Sequence, residues 1–327
     1  MHGPMLFVPI SPVRLADTLT PTEVARVRDL QAAATAADGV SPLSEQTVLS
    51  LGAPSGRVRH LLGYAAEQLT GYAQLEGASG TGASGELVVD PAARRQGTGR
   101  ALVDAVLAAA PGARLWAHGR LPAAQALAAA TGLEAVRELH KMARPLGAAD
   151  LDPAAATLPA GFSARAFVPG QDEQAWLATN AAAFAHHPEQ GRMTLADLRE
   201  RMDQPWFDPA GFIIVEADAS VADDAAGEVA AFHWTKVDPE QRSSADPSRT
   251  AGEVYVVGVH PAYQGRGLGR PVTALGLAHL AGLGLPEVVL YVDGDNQAAI
   301  RTYTGLGFRS IMVDVMYSRT VHEALSG

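Results

Sequence analysis

The chain has 327 residues, 47% hydrophobic and 18% charged, with a formal net charge of −10. That length suits two domains of about 150 residues each, and the composition excludes an extended disordered chain. An acidic balance with no offsetting basic tail excludes a general nucleic-acid binder and favours a cationic small substrate such as an amine.

There is no cysteine, which removes disulfides, thiolate metal sites and cysteine nucleophiles and suits a reducing cytoplasm. The opening "MHGPMLFVPI" has no basic n-region or cleavage pattern, and no apolar run nears the roughly 20 residues of a membrane helix. A cytoplasmic protein with no membrane or nucleic-acid partner is expected, and a monomer.

In the first half, "LTGYAQLE" (69–76) and "ELVV" (86–89) lead to "DPAARRQGTGRA" (90–101), and "TGLEAVREL" (131–139) opens a closing strand. Residues 146–161, rich in Ala, Pro and Gly with no apolar period, read as a linker. Three domain-level segments result: 1–145, the linker 146–161, and 162–327.

In the second half "DEQAWLATNAAAFA" (172–185) reads as a helix with Asp172 as its cap. "FIIVEA" (212–217), "VAAFHWTKV" (229–237) and "EVYVVGV" (253–259) read as strands, with a polar loop over 237–252. A helix follows over 270–284, a strand over 287–293, a short helix over 296–307 and a closing strand over 308–318. The interleaving predicts an α/β architecture around a mixed sheet.

The halves repeat each other. Pairing Pro91 with Pro261 also pairs Gly97 with Gly267, Gly99 with Gly269 and Arg100 with Arg270. This points to duplication of one domain. Each glycine turn follows an apolar strand and opens a helix. Gly265, Gly267 and Gly269 leave backbone N–H groups uncovered at a helix N-terminus, which is an anion site best suited to phosphate. Arg266 and Arg270 add charged donors. A plain glycine-rich strand-to-helix turn would read the same way in isolation.

The neighbourhood decides between them. Gln264, Gly265, Arg266, Gly267, Leu268 and Gly269, followed by Asn296, Ala299, Tyr303, Gly307 and Phe308, resemble two separate motifs of the GNAT acetyltransferase superfamily. With "FHWTK" (232–236), "LWAHG" (115–119) and "RELHKMARPL" (137–146), the similarity extends over nearly the whole chain and narrows to its tandem-domain branch, the mycothiol synthases. The resemblance implies two tandem GNAT domains, each a mixed, mostly antiparallel sheet flanked by helices.

It also implies an acyltransferase that moves the acetyl group of acetyl-CoA to the cysteinyl amine of a cysteinyl-glucosaminyl-inositol pseudodisaccharide, without a metal. Another amine, such as an aminoglycoside or a protein N-terminus, stays open, as does a non-catalytic acetyl-CoA sensor.

By the same resemblance Glu253 is the base and Tyr303 the proton donor to the thiolate. Val257, Gly258 and Val259, the turn Gln264–Arg270, and Asn296, Gln297, Ala298, Ala299, Ile300 and Arg301 hold the cofactor. Glu45, Glu189, Lys236, Glu253 and Tyr291 contact the amine substrate. Plainer readings remain for several of these: a solvated carboxylate for Glu253, core for Tyr303, packing relief for Gly258, an N-cap for Asn296 and a surface charge for Arg301.

The first half keeps Leu87, Val88, Val89, Arg95, Gln96, Gly97, Thr98, Gly99 and Arg100 as a second cofactor site, but has no counterpart of Glu253, Asn296 or Tyr303. It is expected to be catalytically degenerate.

Overall fold

The computed structural model describes residues 12–52, 56, 58–77, 82–185, 190–221 and 227–319. The chain separates into two compact units whose boundaries are not those of the sequence halves. Unit 1 is Met1–His140, Asp293–Asp295 and Met312–Gly327; unit 2 is Lys141–Val292 and Asn296–Ile311.

In chain order the first half forms β1 (Arg14–Ala16), α1 (Pro21–Asp38), α2 (Glu45–Leu49), β2 (Val58–Ala65), β3 (Gln68–Glu76), β4 (Ser84–Val89), α3 (Thr98–Ala109), β5 (Arg114–Ala117), α4 (Pro122–Thr131) and β6 (Glu134–Pro145). The second forms β7 (Phe162–Ala166), α5 (Glu173–Ala183), α6 (Leu195–Met202), β8 (Phe212–Ala217), β9 (Glu228–Lys236), β10 (Gly252–Val259), α7 (Gly269–Gly282), β11 (Glu287–Asp293), α8 (Gln297–Gly305) and β12 (Arg309–Ser318).

In unit 1, β1 to β5 pair in sequence order, all antiparallel except β4 with β5, and β5 then pairs with the end of β12. In unit 2, β7 to β11 repeat that plan, antiparallel except for β10 with β11.

The cores explain why the unit boundaries cut through β6 and β12. Val315 and Tyr317 of β12 join Leu61, Leu75, Leu102 and Leu115 in unit 1. Met142 of β6 joins Val254, Leu277, Leu290 and Phe308 in unit 2. A second unit 2 core stacks Trp234 on Phe212, with Trp176 edge-on to both. No helix among the described residues is long and apolar enough to cross a membrane.

Residues 146–161 are not a bare tether. They form 3-10 turns at Ala148–Leu151 and Pro153–Ala156, and Leu146 and Leu158 pack into unit 2 cores. Turns this short carry no apolar period, which is why the segment reads as a linker. The expected cap of α5 also differs. Asp172 makes no capping bond, because its carboxylate is held by Arg165 at 2.6 and 2.8 Å and by the Val168 N–H at 2.7 Å.

Candidate active site

The glycine turn of unit 2 has the predicted form. Gly265 and Gly267 take φ of 78° and 81°, the left-handed region that only glycine enters without strain. Gln264 through Gly267, Gly269 and Arg270 are exposed, whereas the Leu268 side chain is buried in the core. Leu268 therefore offers only its backbone. No side chain caps α7, and Pro271 sits in its first turn, so the N–H groups at this end stay open to an anion.

Beside the turn, the sheet forks. β10 pairs with β11 from Gly252 opposite Val288 to Val254 opposite Leu290, then continues to Val259 with only β9 as partner. The edge facing β11 past Val254 thus presents unpaired backbone groups, the arrangement an extended ligand can complete. The register of β10 shifts between Val254 and Val256, so Tyr255 is the bulged residue.

Gly258 lies in regular register opposite Phe232, and a Cβ there would meet the Phe232 ring at 2.9 Å. Its lack of a side chain makes room for that ring.

Glu253 opens β10 directly opposite Lys236. Its carboxylate has no hydrogen-bond or ion-pair partner among the described residues. Burial pushes its pKa up, Lys236 and Lys141 pull it down, and the balance is about 7. The Tyr303 ring is half-buried against Phe308, and burial pushes its hydroxyl up to about 12. Asn296 caps α8 by accepting the Ala299 N–H at 3.1 Å, while Gln297, Ala298 and Arg301 are exposed and Ala299 and Ile300 partly so.

Unit 1 repeats the turn with different side chains around it. Gly97 takes φ of 98°, and Arg95, standing where Gly265 does, is held at φ 65° at a cost of roughly 1 kcal/mol. A cavity of about 390 Å³ is lined by Leu87, Val88, Val89, Arg95, Gly97, Gly99 and Arg100, among others. Gln96 and Thr98 do not line it, and Thr98 is buried facing Gly63 and Gly71.

β4 also leaves β5 after Glu86 opposite Trp116, but the β3–β4 ladder runs from Gly71–Val89 to Glu76–Ser84 with no bulge. Ser84 opposite Glu76 takes the place of Glu253 opposite Lys236. At this fork His118 bridges Asp314 (2.9 Å) and Glu86 (3.2 Å). Burial alone would push the imidazole pKa down, but the two carboxylates outweigh it and raise it to about 9.

Two stretches match models of acetyltransferases: residues 178–308 match the acetyltransferase (GNAT) family and residues 57–132 an acetyltransferase (GNAT) domain. The mycothiol acetyltransferase of Cellulomonas flavigena is 49% identical over 320 residues, covering 94% of this chain and 89% of that protein. That of Thermomonospora curvata is 51% identical over 304 residues, covering 92% and 95%. The chain belongs to the mycothiol acetyltransferase family, within the GNAT proteins.

The tandem GNAT fold recurs in solved structures. A GCN5-related N-acetyltransferase from Sphaerobacter thermophilus superposes with TM-score 0.67 at 22% identity, covering 94% of this chain and 95% of that one. A tandem GNAT protein from the clavulanic acid biosynthesis pathway gives 0.63 at 18% identity, covering 93% and 97%.

Within the GNAT fold of unit 2, register sets Lys236, Glu253 and Tyr291 on one face of the sheet. Glu45 is an exposed residue in the first turn of α2, in unit 1. Glu189 lies outside the described residues. No group of three or more potential metal ligands occurs among the described residues.

Sequence reasoning missed several side chains around Glu253. Asp238 bonds Lys236 at 3.0 Å, Trp206 and Tyr255 receive the Lys236 ammonium at 5.0 and 5.8 Å, and Lys141 lies 5.6 Å from the Tyr291 ring centroid. None carries a motif, since packing from separate elements brings them together.

Proposed function

We propose that this chain transfers the acetyl group of acetyl-CoA to the cysteinyl amine of cysteinyl-glucosaminyl-inositol, giving mycothiol and CoA, with the chemistry in unit 2. The observation that carries the reading is the 49% and 51% identity to two mycothiol acetyltransferases across 94% and 92% of the chain. The residues present fit the cofactor: open amides at the α7 N-terminus suit a pyrophosphate, and the unpaired edge of Val257–Val259 suits an amide-bearing arm. When bound, acetyl-CoA supplies an activated acyl carbonyl.

The chain's own residues supply the proton handling. Glu253 receives the proton of the incoming amine. Its pKa of about 7 lies close to the roughly 7.7–8.0 of an α-amino group, so the transfer is nearly balanced. Tyr303 keeps its proton up to about pH 12 and gives it to the departing thiolate. The first unit keeps an anion-binding turn and cavity for a second acetyl-CoA but has Ser84 where the base would stand, so it does not turn over.

The test is CoA release from purified protein with acetyl-CoA and a panel of amines that includes the cysteinyl pseudodisaccharide. Preference for that substrate is expected. Preference for an aminoglycoside or a peptide N-terminus would replace the substrate, and acetyl-CoA binding without turnover would leave a sensor.

A further inference from the structure

Among the described residues no hydrogen bond or ion pair engages the largely buried Glu253 carboxylate, and register fixes what surrounds it. Lys236 is its cross-strand neighbour on β9. On the other side Glu253 sits opposite Val289 of β11, so Tyr291, two residues on, projects from the same face. Lys141 of β6 rests its ammonium on that tyrosine ring, while Lys236 rests on the rings of Trp206 and Tyr255. Two cations, each braced on aromatic faces, therefore flank one unpaired carboxylate. A lysine stacked on a ring is oriented at a small gain of about 0.5–1 kcal/mol.

We infer that Lys141 and Lys236 are a pair of positioning residues that hold Glu253 ionised enough to act as the base without bonding to it. This rests on the reading of Glu253 as the base. A direct salt bridge would pull the carboxyl too low to accept a proton, and burial without cations would keep it protonated at neutral pH. The braces keep both ammonium groups at an intermediate reach.

Asp238 is the counterweight: it bonds Lys236 and itself opposes ionisation of Glu253. The other titratable side chains in this cluster are Tyr255, which accepts a hydrogen bond from Arg201 at 3.0 Å, and Tyr291. Among the described residues, the charges acting on Glu253 are those of Lys236, Lys141 and Asp238.

The experiment is the pH profile of kcat/KM, which reports the free enzyme's base. Lys141→Met moves the acid limb upward by about half a pH unit or more, so activity at pH 6 falls roughly threefold or more while the alkaline plateau survives. Lys141→Arg returns the limb toward its wild-type position. Asp238→Asn moves it downward, because that change removes an anion and releases Lys236.

A uniform loss across pH with an unmoved limb would reduce Lys141 to a packing role and overturn the inference, as would an unmoved limb in Asp238→Asn should Lys141→Met fail to fold. Glu253→Gln separates the two readings: if that variant keeps the wild-type limb, Glu253 is not the base at all.

Discussion

At the scale of single residues, the proposed chemistry depends on two protonation states set by burial. Tyr303→Phe removes the proposed proton donor while retaining the ring against Phe308. Turnover is expected to fall about 10²-fold with acetyl-CoA affinity held within about twofold, checked by steady-state kinetics and calorimetry. Unchanged turnover would remove the acid role.

Glu253→Gln is expected to lower turnover by a similar factor and to flatten the acid limb near pH 7, read from a pH–rate series. These residue types were legible in the sequence through their motif positions. What surrounds Glu253 was not, because Lys141, Asp238, Trp206 and Tyr255 come from separate elements and share no spacing.

At the scale of elements, the helices that follow the two glycine turns are seated by opposite means. In unit 1 glycines lie on the strands: a Cβ on Gly71 would meet Thr98 of α3 at 2.7 Å. In unit 2 the glycine lies on the helix. His233 of β9 is fully buried under α7, with its Nδ1 3.0 Å from the Val272 carbonyl, and a Cβ on Gly276 would fall 2.1 Å from the imidazole.

Gly276→Ala is therefore expected to destabilise by about 2 kcal/mol in denaturant unfolding. It is also expected to weaken acetyl-CoA binding, because the helix whose N-terminus is proposed to hold the anion must lift. The turns give a sharper contrast. Gly267→Ala strains a residue at φ 81° in the proposed catalytic unit and should cost both acetyl-CoA affinity and turnover. Gly97→Ala in unit 1 should leave turnover nearly intact; the reverse pattern in kinetics would exchange the roles of the two units.

At the scale of the whole molecule, stability is bounded by histidines on both sides of neutrality. Burial lowers the His233 pKa to about 4 and also lowers that of His60. Both contributions are present above the unfolded value near 6.5 and lost as pH falls below it, for His233 through about 4. His118 has the opposite sign: its raised pKa gives stability that is full below 6.5 and is lost as pH rises through about 9.

Thermal unfolding midpoints of the wild type are expected to fall on both flanks, and His118→Gln should lose the alkaline dependence. Asp314 reaches His118 from the end of the chain, and Val315 and Tyr317 complete the unit 1 core. Residues 1–145 expressed alone lack that strand and should show weak near-UV circular dichroism and no cooperative transition.

The sequence by itself determined the duplicated plan, the strand–turn–helix order, the glycine turns and the positions of Glu253 and Tyr303. Each of these is local: backbone conformation at a glycine and spacing along one helix or strand are properties of neighbouring residues. Only the tertiary structure decided where the compact units divide, which residue bulges from β10, and which charges bear on the candidate base. Those depend on pairing and burial between residues far apart in the chain, where the energy of a contact leaves no periodic trace in the order of amino acids.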